Sequence, residues 1–168
     1  MSDSEIAPAR EVVGVLKTRS AFESAVEALN KAGIAPENLS VLSSHDSLAV
    51  AGEEGKSWRD ALTALVGEVK YEGPLVASGM ILLAGGPTAV AIAAVIGAAV
   101  GGVALKELLD EVSSTPDTED FARAVDAGSI ILWVRVDDAE TENKATEILI
   151  SEDADNVHSQ PANGCTRN

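Results

Sequence analysis

Apolar positions gather in short runs near both ends of the chain and in one long run in the middle. Glu11 to Leu16 (EVVGVL) is short, β-branched and apolar, the pattern of a buried strand. From Ser20 the period lengthens. Phe22, Ala25, Val26 and Leu29 share one helical face, Ser20 and Glu23 fit a capping box, and Gly33 is the stop. Asn38 to Ser44 (NLSVLSS) predicts a second, more polar strand.

The same rhythm returns near the end. Ser129 to Val136 (SIILWVRV) predicts a strongly apolar strand, and Asp138 is the N-cap of a helix through about Ile150. Ala145, Ile148 and Leu149 make its inner face, and Asp155 to Gln160 (DNVHSQ) predicts a short polar strand. A shift of 118 residues carries Ser20 onto Asp138 and Asn38 onto Asn156. In this reading cap, helix and following strand keep one register without a gap. Two β-α-β units of this size predict an α+β fold, a ferredoxin-like split β-α-β repeat. The apolar strands are expected at its centre and the polar ones at its edges. Two independent βαβ fragments are the rival, but each is too small to bury a core.

Residues 11–44 and 129–160 are then the halves of one domain, with 1–10 a loose leader and 161–168 a disordered tail. Residues 45–128 are an insertion between strands 2 and 3. His45 to Gly55 reads as loop. Ser57 caps a helix whose stripe is Trp58, Ala61, Leu62, Leu65 and Val69, ending near Lys70. After the uncharged run Lys106 to Val112 continues the helix, Ser113 to Pro116 breaks it, and Asp117 to Ala127 reads as a further short helix.

Between them, Gly73 to Leu105 is a run of thirty-three residues without a charge. Gly85, Gly86 and Pro87 interrupt it and predict the turn of a helical hairpin. Ala89, Ala93, Gly97 and Gly101 recur every four residues, and so do Ala94, Ala98 and Gly102. This small-xxx-small spacing lets helix backbones approach closely and marks the first set as the expected helix-packing and oligomerisation stripe. Pro74 to Ala84 is too short to span a bilayer, whereas the eighteen residues from Thr88 to Leu105 are just long enough. If the flanks share one sheet, both ends of the run lie on one side of any membrane. A single crossing is excluded, and a hairpin remains, dipping into the bilayer or crossing it twice. Lys70 and Lys106 at its ends fit a cytoplasmic domain on the inner membrane. The alternative is a soluble oligomer with the hairpin in its core.

Net charge sharpens the choice of partners. At −15, with a pI near 4.3, the chain is not expected to bind nucleic acid, because phosphate binding depends on Lys and Arg. Residues 106–160 carry fifteen acidic and four basic side chains, the pattern of a solubilising surface. Cys165, the single cysteine, cannot form an internal disulfide, which fits a reducing compartment. The opening MSDSEIAPAR lacks the basic and apolar regions of a signal peptide.

No motif predicts a reaction. AGEEGKS (Ala51 to Ser57) resembles the end of a phosphate-binding loop, but Val50 stands where the first glycine belongs. Glu53 and Glu54 would repel phosphates, so no nucleotide is expected. His45 with Asp46, and Asp153, Asp155 and His158, lack the spacing of a metal site. No catalytic residue, metal or cofactor is expected, and Trp58 and Trp133 read as core.

The opening EVVGVLKTRSAFESAVEALNKAGI, the glycine-rich middle and the closing GSIILWVRVDDAETENKATEILISEDADNVHSQ together resemble a bacterial general stress protein (heat-induced stress protein) domain family. The resemblance covers roughly residues 11–160, and the closing motif is its most specific part. Members often carry a second histidine at the end of the last strand, where this chain has Gln160. The resemblance implies an α+β domain, membrane association and a stress-related role, and it carries no catalytic residues. The expectation is a non-enzymatic, membrane-associated protein whose partners are the lipid bilayer and further copies of itself.

Overall fold

The computed structural model describes residues 10–44, 67, 69–75, 79–86, 89–90, 92–94 and 129–161. The elements follow the order β1 (Arg10–Leu16), α1 (Arg19–Lys31), a 3-10 turn (Pro36–Asn38), β2 (Leu39–Ser44), β3 (Val69–Leu75) and β4 (Gly79–Gly85). They continue with β5 (Ile130–Val136), α2 (Ala139–Ser151) and β6 (Asp155–Pro161). The fold is α+β. Its six strands form one sheet in the order β3-β4-β2-β5-β1-β6, and every neighbouring pair is antiparallel.

Strand residues alternate between two faces, and the core divides accordingly. On one face Val12 and Leu16 of β1, Leu39 and Val41 of β2, and Ile130, Leu132, Val134 and Val136 of β5 meet the helices. Helix α1 contributes Phe22, Ala25, Val26 and Leu29, and α2 contributes Ala145 and Leu149. The alternate residues Val13, Leu42, Leu83, Ile131 and Trp133 are buried on the second face. Burial on both faces explains why IILWV runs without polar alternation.

The two halves superimpose more tightly in sequence than the pattern reading allowed. The N-cap of α1 is Thr18, not Ser20: the Ala21 N–H donates to Thr18 Oγ1 at 3.0 Å. Asp138 caps α2, accepting from the Thr141 N–H at 2.7 Å. A shift of 120 residues, not 118, then carries β1 onto β5, α1 onto α2, and Gly33 onto Asp153. Those last two both have positive φ, 97° and 64°. The next N–H closes each helix identically, Ile34 to the Leu29 carbonyl and Ala154 to the Leu149 carbonyl, both at 3.0 Å. The register then breaks. The turn Pro36–Asn38 delays β2, and β6 starts at once. Ser20 misled because Thr18 and Ser20 both precede the apolar face, and local geometry alone decides which hydroxyl reaches the free N–H.

The larger correction concerns the uncharged run. Residues Val69–Leu75 and Gly79–Gly85 are paired antiparallel strands, not helix. The predicted first arm of the helical hairpin is therefore a β-hairpin, and Val69 and Lys70 belong to a strand rather than to a helix end. A continuous apolar stretch of about seven residues has no period that separates a buried strand from a buried helix. Pro74 sits on the outermost strand, where the ladder tolerates a missing N–H. Gly85 and Gly86 do not join two helical arms; they lead from β4 towards the helical residues 89–90 and 92–94. One consequence is that β2 is interior. It lies between β4 and β5, and its Ser40 and Ser43 are buried. Only β6, of the two strands expected at edges, is one.

The other expectations for residues 45–128 lie outside the described residues: the loop at 45–55, the helix from Ser57, the helices at 106–112 and 117–127, and Pro87, Gly97 and Gly101.

Candidate functional site

The expected site residues that are described fall into two situations. Gly85 and Gly86 form a close joint between β4 and the start of β2. Gly85 has φ of 110°, which side-chain-bearing residues rarely adopt. A Cβ there would run into the Leu39 carbonyl oxygen and lie 2.9 Å from Ser40 Cα. One residue on, a Cβ on Gly86 would strike the Glu37 carbonyl oxygen, and the Gly86 N–H donates to the Leu39 carbonyl at 2.8 Å. The Val90 N–H in turn donates to the Gly86 carbonyl at 3.1 Å, starting the helix. These glycines are needed because backbone packs on backbone.

Along that helix, Ala89 and Ile92 are fully buried and Ala93 is half-buried. Val90 is 50 % exposed, and Ala94 is exposed. Residue Ala89 of the expected association stripe is thus already packed within its own chain. The outward positions belong to the neighbouring set, to which Ala94 belongs.

A polar cluster that pattern reading did not single out joins the first strand to the last. On the helix face, Arg10 Nε meets Glu142 Oε2 at 3.1 Å, and its terminal nitrogen donates to Ser159 Oγ at 3.0 Å. Strand β1 supplies Arg10, α2 supplies Glu142 and β6 supplies Ser159. The Ser159 hydroxyl holds the Glu142 carboxyl below the ordinary glutamate range; partial burial opposes this and Arg10 adds to it. On the opposite face, Gln160 Nε2 donates to Glu11 Oε1 at 2.9 Å, with both residues buried. Pairing registers place Glu11 between Gln160 and Arg135 on the two flanking strands. At the far end of β1, Lys17 reaches Asp155 at 3.1 Å across the surface.

Strand β1 lies more than 120 positions from both α2 and β6 in sequence, so no local motif links Arg10 and Glu11 to their partners. The one available signal was an acidic residue, Glu11, at the head of an apolar strand, with a polar strand bearing Gln160 at the other end of the chain. Chemically, the cluster ties strands to a helix; its acceptors and donors face each other.

His158 lies in β6 opposite Val13. Its Nδ1 is 2.7 Å from the Asn156 carbonyl oxygen. A carbonyl oxygen can only accept, so Nδ1 is the protonated nitrogen and is not a metal donor in this arrangement. Among the described residues, no group of three or more His, Cys, Asp and Glu is placed to hold a metal ion. His45 and the AGEEGKS stretch lie outside the described residues. Trp133 is 1 % exposed and belongs to the core, as its setting in an apolar strand predicts; among the described residues its indole N–H has no hydrogen-bond partner.

No family model, curated protein or solved structure matches this chain.

Proposed function

We propose that the chain is a non-enzymatic, self-associating module on a ferredoxin-like core, with the apolar stretch after β4 as its association element. The strand order β6-β1-β5-β2, with α1 and α2 sharing one face, supports the ferredoxin-like reading. Strands β4 and β3 extend that sheet beyond β2. The polar groups brought together at Arg10, Glu142, Ser159, Glu11 and Gln160 are engaged in tying the fold, which supports a binding rather than a catalytic role.

The observation that carries self-association is the two-sided helix after Gly86. Ala89 and Ile92 point into the chain, while Val90 and Ala94 face outward. In sequence, Ala98 and Gly102 continue the spacing of Val90 and Ala94. A second copy presenting the same stripe gives close backbone contact at small residues. Sedimentation of the full chain in detergent-free buffer tests this. A single species larger than the monomer is expected, and a monomer at high micromolar concentration overturns it.

A second reading is membrane association, favoured by the uncharged residues that follow β4, eighteen of them from Thr88 to Leu105. Among the described residues no helix is long and apolar enough to cross a membrane. A helix of eighteen residues reaches about 27 Å, one crossing at most. The strands on either side, β4 and β5, both pair with β2 and so stay together. Shallow insertion from the cytoplasmic face of the inner membrane is the form of this reading that fits. Flotation with liposomes, and carbonate extraction of cell membranes, test it; complete recovery in the soluble fraction rejects it. The stress-related role rests on the resemblance to the general stress protein family, and heat survival of a deletion strain tests it.

A further inference from the structure

We draw no further inference here: the strongest candidate, the buried polar row that Glu11, Gln160 and the Trp133 indole form on the second face of the sheet, carries nothing, because Glu11 and Gln160 bond to each other and no second observation beside Trp133 points to a ligand.

Discussion

Gln160, on the last strand, donates its side-chain N–H to the carboxylate of Glu11, on the first, at 2.9 Å and with neither residue exposed to water. The two lie 149 positions apart in the chain, so the bond exists only when β6 has docked on β1. Removing one partner of a buried hydrogen bond costs about 1–3 kcal/mol, because the survivor keeps its desolvation penalty. Gln160→Leu is therefore expected to lower unfolding stability by that amount in urea titrations. The double variant Glu11→Leu with Gln160→Leu is expected to recover part of the loss. Equal stability of Gln160→Leu and the parent would remove this tie from the account of the fold.

The glycine joint predicts a contrast among three substitutions. Gly85→Ala combines an unfavourable φ with a collision against the Leu39 carbonyl, and Gly86→Ala collides with the Glu37 carbonyl. Overpacking of this kind costs about 1–3 kcal/mol, to which a positive φ adds about 1–2 kcal/mol. Gly33 has a similar φ, but among the described residues nothing lies within 4 Å of a Cβ placed on it. Gly33→Ala is thus expected to lose only the conformational part. Thermal or urea unfolding should rank the variants Gly85→Ala, then Gly86→Ala, then Gly33→Ala, with the first the least stable.

The acid limb of stability should depend on Glu142. Its carboxyl is held below the ordinary range in the folded chain, chiefly by Ser159 and then by Arg10. The charged form is therefore favoured by folding. That contribution is complete above the unfolded value of about 4.3 and disappears as pH falls through the lower folded value. Glu142→Gln is expected to flatten the loss of stability below about pH 4.3, while lowering stability at pH 7. Parallel pH profiles for the two proteins would contradict this assignment.

Helix capping gives a symmetrical test of the repeat. Thr18 and Asp138 each accept an N–H from three residues on, at 3.0 and 2.7 Å. Thr18→Ala and Asp138→Ala are each expected to cost about 1 kcal/mol, whereas Ser20→Ala costs little. Urea unfolding distinguishes them, and a larger loss for Ser20→Ala than for Thr18→Ala would restore the capping box read from the sequence.

For the association element, two alanines on one helix should behave differently. Ala89 is buried in its own chain and Ala94 faces outward. Ala94→Glu is expected to keep the circular dichroism spectrum and melting behaviour of the parent while reducing the oligomer to monomer on sedimentation. Ala89→Glu buries a charge and is expected to unfold the chain or lower its soluble yield. An oligomer unaffected by Ala94→Glu would exclude this face from the contact.

The sequence by itself determined the two similar halves. A run such as IILWV has too little polar character to be anything but interior, and Phe22, Ala25, Val26 and Leu29 have the spacing of one helical face. Those signals are local, and local periodicity survived into the structure almost unchanged. Tertiary structure decided what happens where period is missing. The stretch from Gly79 to Gly85 is apolar throughout, and nothing within it prefers strand to helix. It becomes a strand because β2 offers an unpaired edge and because Gly85 and Gly86 let the backbone come up against Leu39 and Glu37. That pairing moved β2 from edge to interior and halved the uncharged run available to a helix. The ties between Arg10, Glu142 and Ser159, and between Glu11 and Gln160, were equally out of reach. Their members meet only after the ends of the chain have been brought together by burial of the apolar strands between them.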